Sequence, residues 1–197
     1  DSPKLRIYIE DSMGKQSRSR EISQQLIDDF EVDILCGIVN SNIALEISRL
    51  AEDRQTLFIG AGHSSSRLTE EEAHPWYFRV HNDARQSMEA AARYLKDLQQ
   101  QSSWNTLGFI GPDYEYGHQI WQLLLESLDT MGVNYNIRGE YYSLLGEPDF
   151  TPYIQAISKN PPDILISAHW THDMVNFVEQ AEAFNLFNRT RFANFDT

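Results

Sequence analysis

Short apolar runs alternate with longer segments whose apolar residues recur every three and four positions, and this alternation constrains the fold more than any other feature. Leu5-Arg6-Ile7-Tyr8-Ile9 alternates at period two and reads as a strand. Further strands are expected at 34–39, 56–59, 76–80, 107–110, 135–142, 164–168 and 191–195. The segment before the midpoint reads as a helix: Asp83 can cap it, Gln86 completes a capping box, and Met88, Ala91, Leu95 and Leu98 share one face. The next helix places Ile120, Leu124, Leu128 and Met131 on one side and stops at Gly132, which accepts the left-handed conformation of a C-terminal cap. Another begins near Thr171 and buries Met174, Phe177, Val178, Ala181 and Phe184. Strands that alternate with helices pair in parallel and are covered by helices on both faces, so the fold class is α/β. By composition, the polar stretch 99–105 is the candidate boundary between two α/β lobes.

Composition narrows the partners. The formal charge is −13, from 16 basic and 29 acidic residues, so the surface repels phosphate backbones and anionic lipid heads. Nucleic acid is therefore not an expected partner. No uninterrupted apolar stretch reaches the length of a membrane span, so direct membrane insertion is not expected either. Asp1-Ser2-Pro3-Lys4 lacks the regions of a signal peptide, which fits either a cytosolic chain or one whose signal has been removed. Cys36, alone in an apolar run, is expected to be a buried structural thiol.

In open α/β folds ligands bind beyond the carboxyl ends of the strands, so those ends hold the candidate chemistry. After the second strand, Gly37-Ile38-Val39-Asn40-Ser41-Asn42 leads into a helix. Ser41 or Asn42 there can cap the helix or, with free backbone N–H groups, hold an anion. The third strand ends in Gly60-Ala61-Gly62-His63-Ser64-Ser65-Ser66. It is read three ways: a dinucleotide fingerprint lacking its third glycine, a nucleophile elbow lacking its second, or a hydroxyl-lined carboxylate pocket. Gly111-Pro112-Asp113-Tyr114-Glu115-Tyr116-Gly117 offers two tyrosines at a strand-to-helix turn. Ala168-His169-Trp170-Thr171-His172-Asp173 places two histidines three apart, but no third ligand is indicated by spacing and no metal is expected. Asp196 closes the last strand as a cap or a counter-charge for an amine.

From about Leu5 to Thr197 the order of motifs resembles the type I periplasmic solute-binding proteins of the branched-chain amino acid and amide group. The landmarks are the Gly37 turn with Ser41, Arg49-Leu50-Ala51-Glu52, Thr56-Leu57-Phe58-Ile59, Gly62-His63-Ser64 with Leu68-Thr69, and Tyr77-Phe78-Arg79-Val80. Asp113-Tyr114-Glu115-Tyr116-Gly117, Asp149-Phe150-Thr151 and Pro162-Asp163-Ile164-Leu165-Ile166 follow. The resemblance implies two Rossmann-like lobes with parallel sheets flanked by helices. Residues 1–82 would be part of the first lobe and 83–197 part of the second. Against the family the chain looks truncated at both ends, since a central strand and helix precede the match to Leu5–Ile9 and both lobes continue past Thr197.

The same resemblance implies that two lobes close on a small polar or zwitterionic solute and deliver it to the membrane subunits of an ABC transporter, in the periplasm or outside the cell. Ser41 and Ser64, with the Gly62 backbone, look like the carboxylate-holding positions. Tyr116 and Trp170 look like aromatic walls, and Asp196 like the carboxylate that receives an amine. His63 stands among them where a small residue is expected. No cofactor, metal or catalytic residue is implied. Two alternatives remain: a ligand-sensing domain of a receptor or regulator with this fold, and a serine hydrolase. The hydrolase would use Ser64 as nucleophile, His169 or His172 as base, and Asp173 or Asp196 to orient it.

Overall fold

Helix formation in the first part of the chain is set by Asn40. Its Oδ1 accepts hydrogen bonds from the N–H groups of Asn42 (2.9 Å) and Ile43 (3.3 Å), so Asn40, rather than Ser41 or Asn42, caps the helix Ser41–Arg54. This helix, α2, follows α1 (Gln16–Asp28) and the strand β1 (Ile34–Gly37), and it precedes β2 (Leu57–Gly60) and β3 (Tyr77–Arg79). The computed structural model describes residues 4–195, and they fall into two units, 1–82 and 83–197.

In the first unit the strands pair in parallel in the order β1-β2-β3. Leu35, Phe58 and Tyr77 join Ile43, Ala44, Ile47, Leu50 and Ala51 of α2 in one buried cluster. Helix α1 is tied to α2 through Arg20–Glu46 (2.9 Å) and Arg54–Asp28 (3.0 Å). The opposite sheet face carries Ile34, Cys36 and Phe78, the last two in register through Ile59, and all three are exposed, Ile34 by 49% and Phe78 by 58%. Cys36 is thus not the buried thiol that its apolar neighbours suggest, because no described element covers its side of β1. Leu5–Ile9 departs from expectation for a related reason. It forms no strand, since no described strand lies beside it to complete a ladder, and Leu5, Ile7 and Ile9 are 86%, 69% and 88% exposed.

In the second unit, α3 (Ala84–Gln101) opens with the expected capping box, both arms present. It is followed by β4 (Thr106–Pro112), α4 (Glu115–Thr130), β5 (Asn136–Ser143), α5 (Thr151–Lys159), β6 (Ile164–Ser167), α6 (Thr171–Ala183) and β7 (Arg191–Asn194). All four strands are parallel, in the order β5-β4-β6-β7. Strand β4 is buried along its whole length. Leu107 and Phe109 pack with α3 and α4, whereas Ile110 packs with α5 and α6, so helices cover both faces. Edge strand β5 is blunted by the charges of Arg138 and Glu140.

The polar stretch 99–105 lies inside this second unit rather than at a boundary. It turns α3 into β4, and Gln99 Nε2 donates to the carbonyls of Trp104 (3.0 Å) and Asn134 (2.9 Å). Asp163 secures the start of β4 by accepting from the N–H groups of Asn105 (2.8 Å) and Thr106 (2.9 Å). Those bonds hold its carboxyl below the ordinary aspartate value. Gly132 adopts φ +69° after α4, as its position predicts. Phe184, expected on the buried face of α6, sits at the cap of that helix and is 45% exposed.

Candidate ligand-binding site

Strand β4 lies between β5 and β6, so the chain leaves β4 towards one side of the sheet and returns through β6 on the other. The loops after β4 and β6 therefore flank a topological switch point, where a parallel sheet leaves room for a ligand. Tyr116 directly follows the first of these loops and Trp170 lies in the second. Tyr116 sits in the first turn of α4, nearly buried, with its ring 5.9 Å from that of Tyr114. The turn is tight enough that a Cβ at Gly117 would run into the Pro112 carbonyl, which explains glycine inside a helix. Trp170 is the half-buried residue preceding α6, and its indole Nε1 is buried without a hydrogen-bond partner among the described residues. The next residue, Thr171, has φ +45°, a left-handed conformation unfavourable to a β-branched side chain.

Behind Trp170, His169 is fully buried and binds into the unit. Its Nε2 shares a hydrogen bond with Ser143 Oγ at the end of β5 (2.8 Å), and its Nδ1 lies 3.3 Å from Ser167 Oγ at the end of β6. Its carbonyl accepts from Asn194 Nδ2 of β7 (2.8 Å). One residue thus joins three strand ends. Burial lowers its pKa to about 4, against the opposing pull of the Asp173 carboxylate. Asp173 itself accepts from the Gly146 N–H (2.9 Å).

The first unit presents Ser41, Gly62, His63 and Ser64 at the ends of β1 and β2. Ser41 begins α2 and is 1% exposed. Gly62 brings its loop against Val39, where a Cβ would meet Val39 Cγ2 at 3.4 Å. Ser64 is half-buried beside it. The His63 ring is 1% exposed and is engaged at both nitrogens within the unit, Nδ1 with the Ile38 carbonyl (2.9 Å) and Nε2 with the Tyr77 hydroxyl (2.8 Å). Burial takes its pKa down to about 4, the Ile38 carbonyl opposing and the charges of His81 and Arg79 reinforcing the fall. The Tyr77 hydroxyl is pushed up to about 12 by the same burial. Asp196 lies outside the described residues.

Sequence reasoning passed over His81, just beyond β3. Its Nδ1 contacts the Asn82 carbonyl (2.6 Å), and its Nε2 is buried without a partner among the described residues. His81 Nε2 and Trp170 Nε1 are therefore two buried polar atoms lacking a partner among the described residues, and each follows the carboxyl end of a strand. Buried polar atoms are normally satisfied, so each of these is an open hydrogen-bonding position at the strand ends of its own unit. A further unpaired indole, that of Trp121, lies within α4 and away from those ends. No run of letters announces such atoms, because a missing partner is a fact of three-dimensional surroundings.

No curated protein matches the sequence. Solved structures share the fold: a periplasmic binding protein from Burkholderia mallei superposes with a TM-score of 0.84 at 21% identity, over 93% of this chain and 48% of that one. A solute-binding protein of an ABC transporter from Rhodopseudomonas palustris BisB5, in complex with 3,4-dihydroxybenzoic acid, gives 0.82 at 20% identity, over 97% and 50%. A leucine-binding protein from Thermotoga maritima gives 0.80 at 14% identity, over 93% and 50%. The chain thus spans about half the length of these structures. The model of the periplasmic binding protein family matches residues 3–196. With that match across nearly the whole chain, and with parallel sheets whose carboxyl ends carry the unpaired polar atoms, the chain belongs to the type I periplasmic binding proteins.

Proposed function

We propose that this chain serves as the solute-receiving part of an ABC transporter, acting in the periplasm, and that its solute is a small carboxylic acid with an apolar body. The observation that carries this reading is the position of Ser41, a residue 1% exposed that opens a 14-residue helix just beyond the carboxyl end of β1. A helix amino terminus favours negative charge. With Asn40 already occupying the N–H groups of Asn42 and Ile43, the Ser41 hydroxyl is the group left to donate to a carboxylate.

The apolar body rests against Tyr116 and Trp170, and the Trp170 indole N–H donates to a second acceptor on the solute. Ser64 and the backbone at Gly62 assist at the carboxylate, and Asp196 receives an amine where the solute has one, both as the family resemblance implies. The relatives support the ligand class: one is a leucine-binding protein and others are complexes with benzoate and 3,4-dihydroxybenzoic acid. A carboxylate on an apolar body is what these share. The closing of two lobes over the solute, and docking on the transporter's membrane subunits, belong to this proposal as what the family resemblance implies.

The test is a thermal-shift titration of the protein expressed from its complete reading frame, with leucine and benzoate as probes. A probe at a hundred times its dissociation constant stabilises the native state by about 2.7 kcal/mol. Ser41→Ala should weaken binding of either probe at least tenfold, because a hydrogen bond to a charged group is worth roughly 1.5–3 kcal/mol. Asp196→Ala should cost leucine and spare benzoate. Unaltered affinity in Ser41→Ala would sink the carboxylate role of the helix terminus.

A further inference from the structure

His63 is a buried titratable group that the proposed carboxylate contacts do not use, and its geometry gives it a different task. The Ile38 carbonyl can only accept, so the proton of the neutral ring sits on Nδ1. Nε2 is then an acceptor, and the Tyr77 hydroxyl donates to it. Burial, which drives the pKa down to about 4, keeps the ring in this neutral form at neutral pH. The surroundings are built around the pair: a Cβ at Gly60 would fall 2.5 Å from both His63 Nε2 and the Tyr77 oxygen.

The residue that His63 holds is itself unusual. Ile38 has φ +67°, a conformation that costs a β-branched side chain free energy and persists only where surrounding structure imposes it. Ile38 lies directly after β1 and three residues before Ser41. The Nδ1–H bond therefore joins the loop that carries Ser41 to the loop that carries Ser64, the residue next to His63.

We infer that His63 is a positioning residue: by donating from Nδ1 to the Ile38 carbonyl it holds the strained turn after β1 and so aligns Ser41 with Ser64, without touching the solute itself. The inference rests on the carboxylate reading for its purpose, whereas the strap has consequences that can be read without any solute.

Two substitutions separate the strap from general packing. In His63→Asn the side-chain amide nitrogen takes the place of Nδ1 and can still donate to Ile38, while the bond to Tyr77 is lost. In His63→Gln the amide reaches towards Tyr77, and the donor at the Nδ1 position is lost. With the protein expressed from its complete reading frame, hydrogen exchange in segments 37–42 and 61–65 should be at least tenfold faster in His63→Gln than in wild type. His63→Asn should stay within about threefold of wild type. Affinity for leucine or benzoate, whichever binds, should follow the same order at a temperature where all three proteins are folded.

Ring-nitrogen NMR of the wild-type protein should place the proton on Nδ1. A proton on Nε2, or equal loop exchange in the two variants, overturns the inference. Absence of binding by either probe, with loop exchange in the expected order, would overturn the carboxylate reading and leave the strap standing.

Discussion

Two buried histidines and two strained β-branched residues bring the residue-scale physics to the strand ends. His63 and His169 are neutral at pH 7, each with its pKa lowered by burial to about 4. In the unfolded chain the same rings take up a proton near pH 6.5. Between those values the unfolded state binds more protons than the folded one, so stability falls as pH is lowered through the window. The loss amounts to about 3 kcal/mol per ring once pH reaches 4. Glu46, Glu72 and Asp163, whose values are lowered mainly by hydrogen bonds, add their own loss only further down. Urea denaturation at pH 7, 6, 5 and 4.5 should show the decline beginning above the carboxylate range. The slope should be shallower in His63→Asn, and an identical slope would assign the decline to other groups.

Thr171 offers a simpler test. Its side chain is exposed and its φ is +45°, so Thr171→Gly relieves strain and loses little packing. The expected gain is about 0.5–1 kcal/mol, read as an upward shift in the melting temperature.

At the level of elements, the caps and turns explain both what the letters disclose and where they fall short. Asp83 with Gln86, and Gly132 after α4, were legible because each motif acts within four residues. The cap of α2 was misplaced by one or two residues, since Asn40, Ser41 and Asn42 are all competent caps and only the path of the chain chooses among them. Leu5–Ile9 has a strand's alternation but no strand beside it, and pairing is a property of two segments. The Gly62-to-Ser64 loop could be placed at a strand end from sequence, but the inward turn of His63 could not, because its partners Ile38 and Tyr77 lie 25 and 14 residues away.

Gly117 lends itself to a direct test. Alanine in a helix interior is ordinarily favourable by about 1 kcal/mol over glycine. Here its Cβ would meet the Pro112 carbonyl, so Gly117→Ala should instead destabilise by about 2 kcal/mol or more. Gly132→Ala should cost about 1 kcal/mol through its left-handed backbone alone. Chemical denaturation of both variants checks the order.

At the scale of the whole molecule, two units repeat one plan of parallel strands with polar atoms at their carboxyl ends, and they differ in how their sheets are covered. The second has helices on both faces, whereas the first leaves Ile34, Cys36 and Phe78 exposed on one face among the described residues. The chain that bears this apolar face also carries a formal charge of −13. Colloidal behaviour is thereby set by a contest between a short-range attraction and a long-range repulsion. In dilute buffer the repulsion extends for tens of ångströms; at physiological ionic strength it decays over about 8 Å, while the attraction between apolar faces is undiminished. Adding sodium chloride should therefore drive self-association of this chain, seen as a rising weight-average mass in sedimentation equilibrium, and Phe78→Lys should suppress it.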